Sequence, residues 1–371
     1  MDPIKIRFPS SGDFFSTLKR RVAEHFEQAQ ISSRDNPRMY IKTAVILGWL
    51  LASYLGLLLW ADSAWQVVLL SVSGGLAMAG LGFSVQHDGG HGGYSSHPRV
   101  NRVMALTLDF IGASSYVWHF KHNIVHHTYT NIAHVDADTD VGFFARLTPN
   151  HPRRSFHRYQ HLYIWFLYMM LPFKWIFFDD YRDLVTGRIG TQRFPRPTGW
   201  GLAGILGMKA LYLLWALVIP LCLRPAKGVA LAYVVSALTL GLTLSVVFQL
   251  AHCLERAEFP VPTDDQAMTR DWAVHQVETT VDFAPRSRVL TWFLGGLNYQ
   301  VEHHLFPRIC HVHYPALSQI VKQTCAEYGV RYRSYDSFWE AVAAHARWVF
   351  RMGRESPAAA SEPLTPLRSA V

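Results

Sequence analysis

Three short strings in this chain concentrate nitrogen ligands: His87-Asp-Gly-Gly-His91, His122-Asn-Ile-Val-His126-His127 and Gln300-Val-Glu-His303-His304. A further candidate, His252, closes the string Val-Val-Phe-Gln-Leu-Ala-His. Residues i and i+4 of a helix share a face, with Cβ atoms about 5–6 Å apart. His87 with His91, and His122 with His126, can therefore each close on one metal through bonds of about 2.0–2.1 Å. Adjacent histidines such as His126 and His127 point about 100° apart around a helix, which suits two neighbouring ions better than one. Eight histidines and one glutamine make about the ligand set of two metals with open positions. A lone histidine is ordinarily a surface or hydrogen-bonded residue, but three such clusters need another explanation.

The chemistry narrows by elimination. A membrane zinc protease would show His-Glu-x-x-His, and the chain has none. Soluble di-iron carboxylate bundles use Glu-x-x-His, which is also missing. The four cysteines form no Cys-x-x-Cys pair, so neither a thiolate zinc site nor a disulfide framework is expected. A nearly all-imidazole pair of sites suits iron, although ligand type alone leaves zinc and copper open. Open positions on iron permit O2 activation.

The elements that must position these ligands read as membrane helices. Residues 43–60, 64–86 and 228–251 carry no charged side chain, and 199–223 carries only Lys209, near enough to its start to snorkel to the interface. Two hairpins result, 43–86 and 199–251, each closed by a very short link. Residues 162–178, with Pro172 and Lys174, and residues 103–118, with Asp109, read as interfacial or re-entrant segments. The expected architecture is all-α and polytopic: four transmembrane helices in two hairpins, interfacial helices, and a cytoplasmic cap carrying the histidines. Its segments are 1–42 (cytoplasmic), 43–86 (first hairpin), 87–198 (cap with the first two histidine strings), 199–251 (second hairpin), 252–353 (cap with the third) and 354–371 (a disordered tail).

A net charge of +8 admits nucleic acid as a partner, but the placement of the charges points to a bilayer. The outer links hold only Arg224 and Lys227, whereas residues 1–42 hold eight Lys and Arg. The positive-inside rule then puts both termini and the active site on the cytoplasmic side. All 19 histidines fall on that side. A site drawing on histidines before and after 162–178 needs an even number of crossings between them, which favours four spans over five. The long polar segments also explain a mean hydropathy of only +0.08 in a chain that is half apolar.

With these motifs in place, the sequence resembles the membrane fatty acid desaturases, and among them the front-end type similar to bacterial linoleoyl-CoA or Δ6 acyl-lipid desaturases. The resemblance covers about residues 35–350. It is carried by His87–His91, by His-Asn-Ile-Val-His-His-Thr-Tyr-Thr-Asn at 122–131, by Phe-Gln-Leu-Ala-His at 248–252, and most strongly by residues 295–315, with Gln300 where most desaturases have histidine. It implies two non-haem iron ions, O2 as co-substrate, and a cis double bond inserted between an existing one and the carboxyl end of a linoleoyl-type acyl-CoA or acyl-lipid. It carries over His87, His91, His122, His126, His127, His252, His303 and His304 as ligands, and Gln300 as a weak ligand or a hydrogen-bond partner of one. Stearoyl-type relatives place an asparagine where Phe248 stands, so one coordination position is unassigned. Residues 1–42 lack the His-Pro-Gly-Gly haem motif of fused cytochrome b5 domains, which implies a separate electron donor, a ferredoxin or a cytochrome b5.

Other residues read more plainly. Asp136, Asp138 and Asp140 suggest a solvated acidic loop first and partners for the ligand histidines second. His311 and His313 read as structural. His97, His119, His134, His151, His157, His161 and His275 read as surface residues or partners of ligands. Trp118, Tyr163, Trp165 and Trp175 read as interface anchors, and Arg153, Arg154 and Arg188 as inside-positive bias or contacts to a phosphorylated head group or an acidic donor. A related di-iron hydroxylase or acetylenase uses the same motifs. A histidine-rich metal transporter would need polar groups deep in its spans, and these spans are nearly clean.

Overall fold

Apolar runs of this length fold as helices because only a helix satisfies every backbone amide inside hydrocarbon. In the computed structural model, which describes residues 6–355, four helices are long and apolar enough to cross a membrane: Pro37–Leu59, Ala64–His91, Trp200–Leu223 and Ala226–His252. The first opens on Asn36, whose side chain accepts from the Arg38 amide, followed by Pro37 at the first helical position. The second opens on a Ser63–Gln66 capping box. At the link ends the two hairpins are clasped by Arg224, which pairs with Asp62 at 2.9 Å.

The second and fourth spans cross closely at Gly75, where a Cβ would come within 2.7 Å of the Thr239 Cβ. Their ends carry His87–His91 and His252. Before His87 the second span widens into a π-type turn, Leu81–Gln86, and a similar turn, His119–His126, carries His122 and His126 in place of the expected α-helical spacing. Such turns recur at functional sites because they re-aim side chains.

Residues 155–186 form two helical segments, Ser155–Met169 and Leu171–Thr186, bent by 60° at the break before Pro172. The bend packs on the fourth span at Gly241, where a Cβ would lie 2.6 Å from Pro172 Cδ and 2.8 Å from the Tyr168 carbonyl oxygen. Because His126, before this pair, lies beside His252, after it, the chain between them crosses an even number of times. If the third and fourth apolar helices both cross, the bent pair must return to its own side. Residues 98–118 run in short helices: Pro98–Ala105 buries no side chain, whereas Leu108, Asp109 and Ile111 are buried, and the Phe110 carbonyl accepts from Trp215 of the third span.

Lys209 departs from expectation. It does not snorkel but is buried, ion-paired with Asp180 and donating to the Gly112 carbonyl at 2.6 Å. Asp180 supplies a counter-charge that the interface was expected to supply. Over the histidine end sits a cap in which Asp13–Ala29 packs Leu18 and Val22 against Leu317, Val321 and Cys325 of helix Tyr314–Glu327. Helix Phe338–Met352 packs Trp348 and Val349 against Ile164 and Tyr168. Strands among the described residues are two-residue pairs, such as Asp282–Phe283 with Ser334–Tyr335. The tail expected from residue 354 lies, from residue 356 on, outside the described residues.

Candidate metal centre

The eight histidines singled out above meet at one place, and none is more than 8% exposed. His87 and His91 come from the end of the second span, His122, His126 and His127 from the turn after 118, and His252 from the end of the fourth span. The short buried helix Gln300–Leu305 brings His303 and His304. Ring centroids lie 4.4 Å apart for His87 and His303, 4.5 Å for His91 and His127, and 4.6 Å for His126 and His252. Ligand atoms within 4.8 Å of one another form overlapping histidine groups: His87, His91, His122 and His303; His126, His252 and His304; and His127, His303 and His304, which shares one member with each of the others. His127 stands between the first two, its Nε2 3.0 Å from His303 Nε2 and 3.3 Å from His122 Nε2. Gln300 Nε2 lies 3.0 Å from His252 Nε2.

The far sides of the rings explain their orientation. Nδ1 of His126 donates to Asp136 at 3.0 Å, that of His122 to Asp138 at 3.3 Å and that of His304 to Gln276 Oε1 at 2.7 Å, while that of His303 lies 3.3 Å from the Tyr314 hydroxyl. Each of the first three bonds holds the proton on Nδ1 and aims the Nε2 lone pair inward, and the Tyr314 contact fixes the His303 ring. Nε2 of His87, His91, His126 and His304 is then buried without a partner. Buried acceptors left facing one another are costly unless a cation lies between them. The donor set therefore fits two metal ions.

Electrostatics agree. Burial pushes His122 down to about 4 despite Asp138, and burial with the neighbouring histidines pushes His127, His303 and His304 well below the ordinary value. Neutral imidazole is the ligating form. His126 is the exception: burial lowers it most, but Asp136 and Asp138 together raise it above the ordinary value. Asp138 stays ionised against its burial through Lys121, at 2.9 Å, and His122. Asp136 is 1% exposed and Asp138 partly buried, so the first reading of a solvated acidic loop is wrong for both. It holds for Asp140, which is exposed. The loop turns inward because Asp136 also accepts from the Asn131 and Asp138 amides.

Trp118 is also not an interface anchor: it stacks on His122 at 4.6 Å and lies 5.5 Å from His91. Together with Phe248, whose ring is 5.8 Å from His122, it walls one end of a 770 Å³ cavity that runs past Val117, Leu167, Leu171 and Trp175. Gln276, which orients His304, carries no sequence signal, and Tyr314 lay unremarked inside the 295–315 string. His275 is buried and donates to the Thr130 carbonyl at 3.0 Å. His311 is structural, linking Asp88 at 2.9 Å to Lys42 at 2.9 Å. That ammonium group counts against a third metal among Asp88, Cys310 and His311. All four cysteines are free thiols.

The fatty acid desaturase family pattern matches residues 63–336. Among curated relatives, the sn-1 linoleoyl-lipid 6-desaturase of Arthrospira platensis is 41% identical over 363 residues, 97% of this chain and 98% of that one. The protein of the same description from a Synechocystis species is 39% identical over 355 residues, 95% of this chain and 99% of its own length. An acyl-lipid (8-3)-desaturase of Physcomitrium patens is 38% identical, covering 92% of this chain and 72% of the relative.

Proposed function

This chain belongs to the fatty acid desaturase family of membrane-embedded oxidoreductases that use O2, and we propose that it desaturates the acyl chain of a membrane glycerolipid at a front-end position. The reaction is that named for its two bacterial relatives, the 6-desaturation of a linoleoyl-lipid. Two hydrogens leave adjacent carbons, and O2 takes them up with two electrons and two protons to give two waters and a cis double bond. A separate electron donor, a ferredoxin or a cytochrome b5, supplies the electrons.

One observation carries the reading: eight buried imidazoles in overlapping groups, several with an inward nitrogen that no protein group satisfies. We assign His87, His91, His122 and His303 to one non-haem iron and His126, His252 and His304 to the other. His127 lies between them, and Gln300 is a weak ligand or hydrogen-bond partner beside His252. When bound, the iron pair supplies the oxidising power that unactivated C–H bonds require. The chain's own residues do the rest. Asp136, Asp138 and Gln276 hold protons on the outer ring nitrogens, Tyr314 fixes the His303 ring, and Trp118 and Phe248 press the acyl chain against the site and exclude water. The distribution of Lys and Arg supports a cytoplasmic site and cytoplasmic termini.

The test is expression in cells that make linoleoyl lipids but desaturate them no further. Mass spectrometry should show a product lighter by two hydrogens, absent in His304→Ala, with iron lost from the purified variant. A product heavier by one oxygen would make the chain a hydroxylase instead, and a fully active His304→Ala would refute the site.

A further inference from the structure

The 770 Å³ cavity has a polar side that the reaction does not use. Lys174 and Arg182 line it with side chains 54% and 59% exposed, and both pair with Asp179. Lys121 lines it at 26%, and His122, the next residue, is 1% exposed. Exposure therefore falls from a charged mouth, through Lys121, to the metal centre. The ammonium of Lys121 has three donors. It pairs with Asp138 at 2.9 Å, and no other hydrogen bond of its side chain is formed among the described residues. Gln249, 8% exposed, lines the same cavity with Oε1 buried and unpartnered. The polar complement of the cavity at this depth is left unfinished by protein.

Resting on the desaturase reading above, we propose that Lys121 is a positioning residue that binds the ester carbonyl of the acyl chain and thereby sets how far the new double bond lies from the carboxyl end. Three features support it. The donor is joined to the proposed ligand His122 through Asp138, at 2.9 Å and 3.3 Å, so a carbonyl held there lies near the metal centre, as a front-end position requires. The carboxylates Asp138, Asp140, Asp179, Asp180 and Asp183 are balanced by Lys121, Lys174, Arg182, Arg188 and the Asp180 partner Lys209, so the cavity has no excess of cations and a neutral carbonyl fits better than a cluster of phosphates. The cavity also has apolar lining, Val117, Leu167, Met170, Leu171 and Trp175, against which an acyl chain can pack.

The test reads where the double bond falls. Losing one hydrogen bond from a charged donor is worth about tenfold in discrimination. In Lys121→Met, the ratio of product with the bond at any other carbon to product at the wild-type carbon should rise by that factor, scored on the iron-loaded fraction because the swap also removes the cation beside Asp138. Lys121→Arg should restore a single position. An independent arm uses the wild-type protein in cells fed the matching 1-O-alkyl glycerol, whose ether lacks the carbonyl. It should show the same loss of positional fidelity, and the swap should add nothing in Lys121→Met. A single unchanged position from the ether substrate refutes the proposal even if Lys121→Met fails to fold. Absence of any desaturation by the wild-type protein would instead refute the reading it rests on.

Discussion

Asp136→Asn is the sharpest perturbation of the centre that leaves the proposed ligands in place. The native carboxylate is 1% exposed and accepts three bonds: His126 Nδ1 at 3.0 Å and the Asn131 amide at 2.9 Å on Oδ2, and the Asp138 amide at 3.0 Å on Oδ1. An asparagine has one acceptor oxygen. Keeping that oxygen toward His126 and Asn131 turns its NH2 on the Asp138 amide, and the reverse orientation orphans two donors instead of one. In the better orientation the bond to His126 changes from charge-assisted to neutral, a loss of about 1–1.5 kcal/mol. The second iron should therefore bind about tenfold more weakly in Asp136→Asn. Asp136→Ala, which orphans all three donors, should approach the hundredfold end of such effects, about 10–100-fold. The assay is iron retained by detergent-purified protein against a graded chelator, with Asp138→Asn alongside as the matched change on the His122 side. The expected pattern is a weakened iron on the His126 side only. If Asp136→Asn holds both irons as the wild type does while His126→Ala loses one, the reasoning about Asp136 is wrong.

Three further outcomes can be checked. Gly90→Ala should place a methyl group into the Trp118 ring; displacing that ring from His122 should cut product by about 10²-fold with iron content unchanged, as measured by metal analysis and product yield. Lys209→Met leaves Asp180 buried without its cation and should cost about 3–5 kcal/mol, read as a lower melting temperature, with Lys209→Met/Asp180→Leu recovering most of it. In the metal-free protein, His122, held at about 4, must bind a proton on unfolding once pH falls below the ordinary value of about 6.5. Stability is full above that value and should decline as pH falls from 6.5 toward 4, in thermal melts followed by circular dichroism.

Much of this architecture was legible because its physics is one-dimensional. An uncharged run of sufficient length has one stable form in a bilayer, so residues 43–60, 64–86, 199–223 and 228–251 announced their helices. Histidine spacing within a turn likewise reported a shared face. What escaped was set by contacts between distant segments. Asp136 and Asp138 looked like solvent-facing loop residues because their partners, His126 and His122, are apparent only once the loop folds back over the turn that carries them. Trp118 was assigned to the interface by composition, but its ring is claimed by His122. Lys209 had no visible counter-charge until the bent pair brought Asp180 beside it. Gln276 sits in a string with no motif at all, and only the position of His304 gives it a role.

The centre draws its ligands from the ends of the second and fourth spans and from the helix Gln300–Leu305, so no early portion of the chain can hold both metals. During synthesis His87, His91 and the 122–127 cluster emerge long before their partners, and during that interval they are exposed imidazoles at a membrane surface. Metal capture is thus tied to the completion of membrane insertion. A chain with a mis-inserted second hairpin would carry His252, His303 and His304 away from the earlier histidines and leave both groups incomplete. On the proposed assignment, loading of the centre reports topology as well as supplying chemistry.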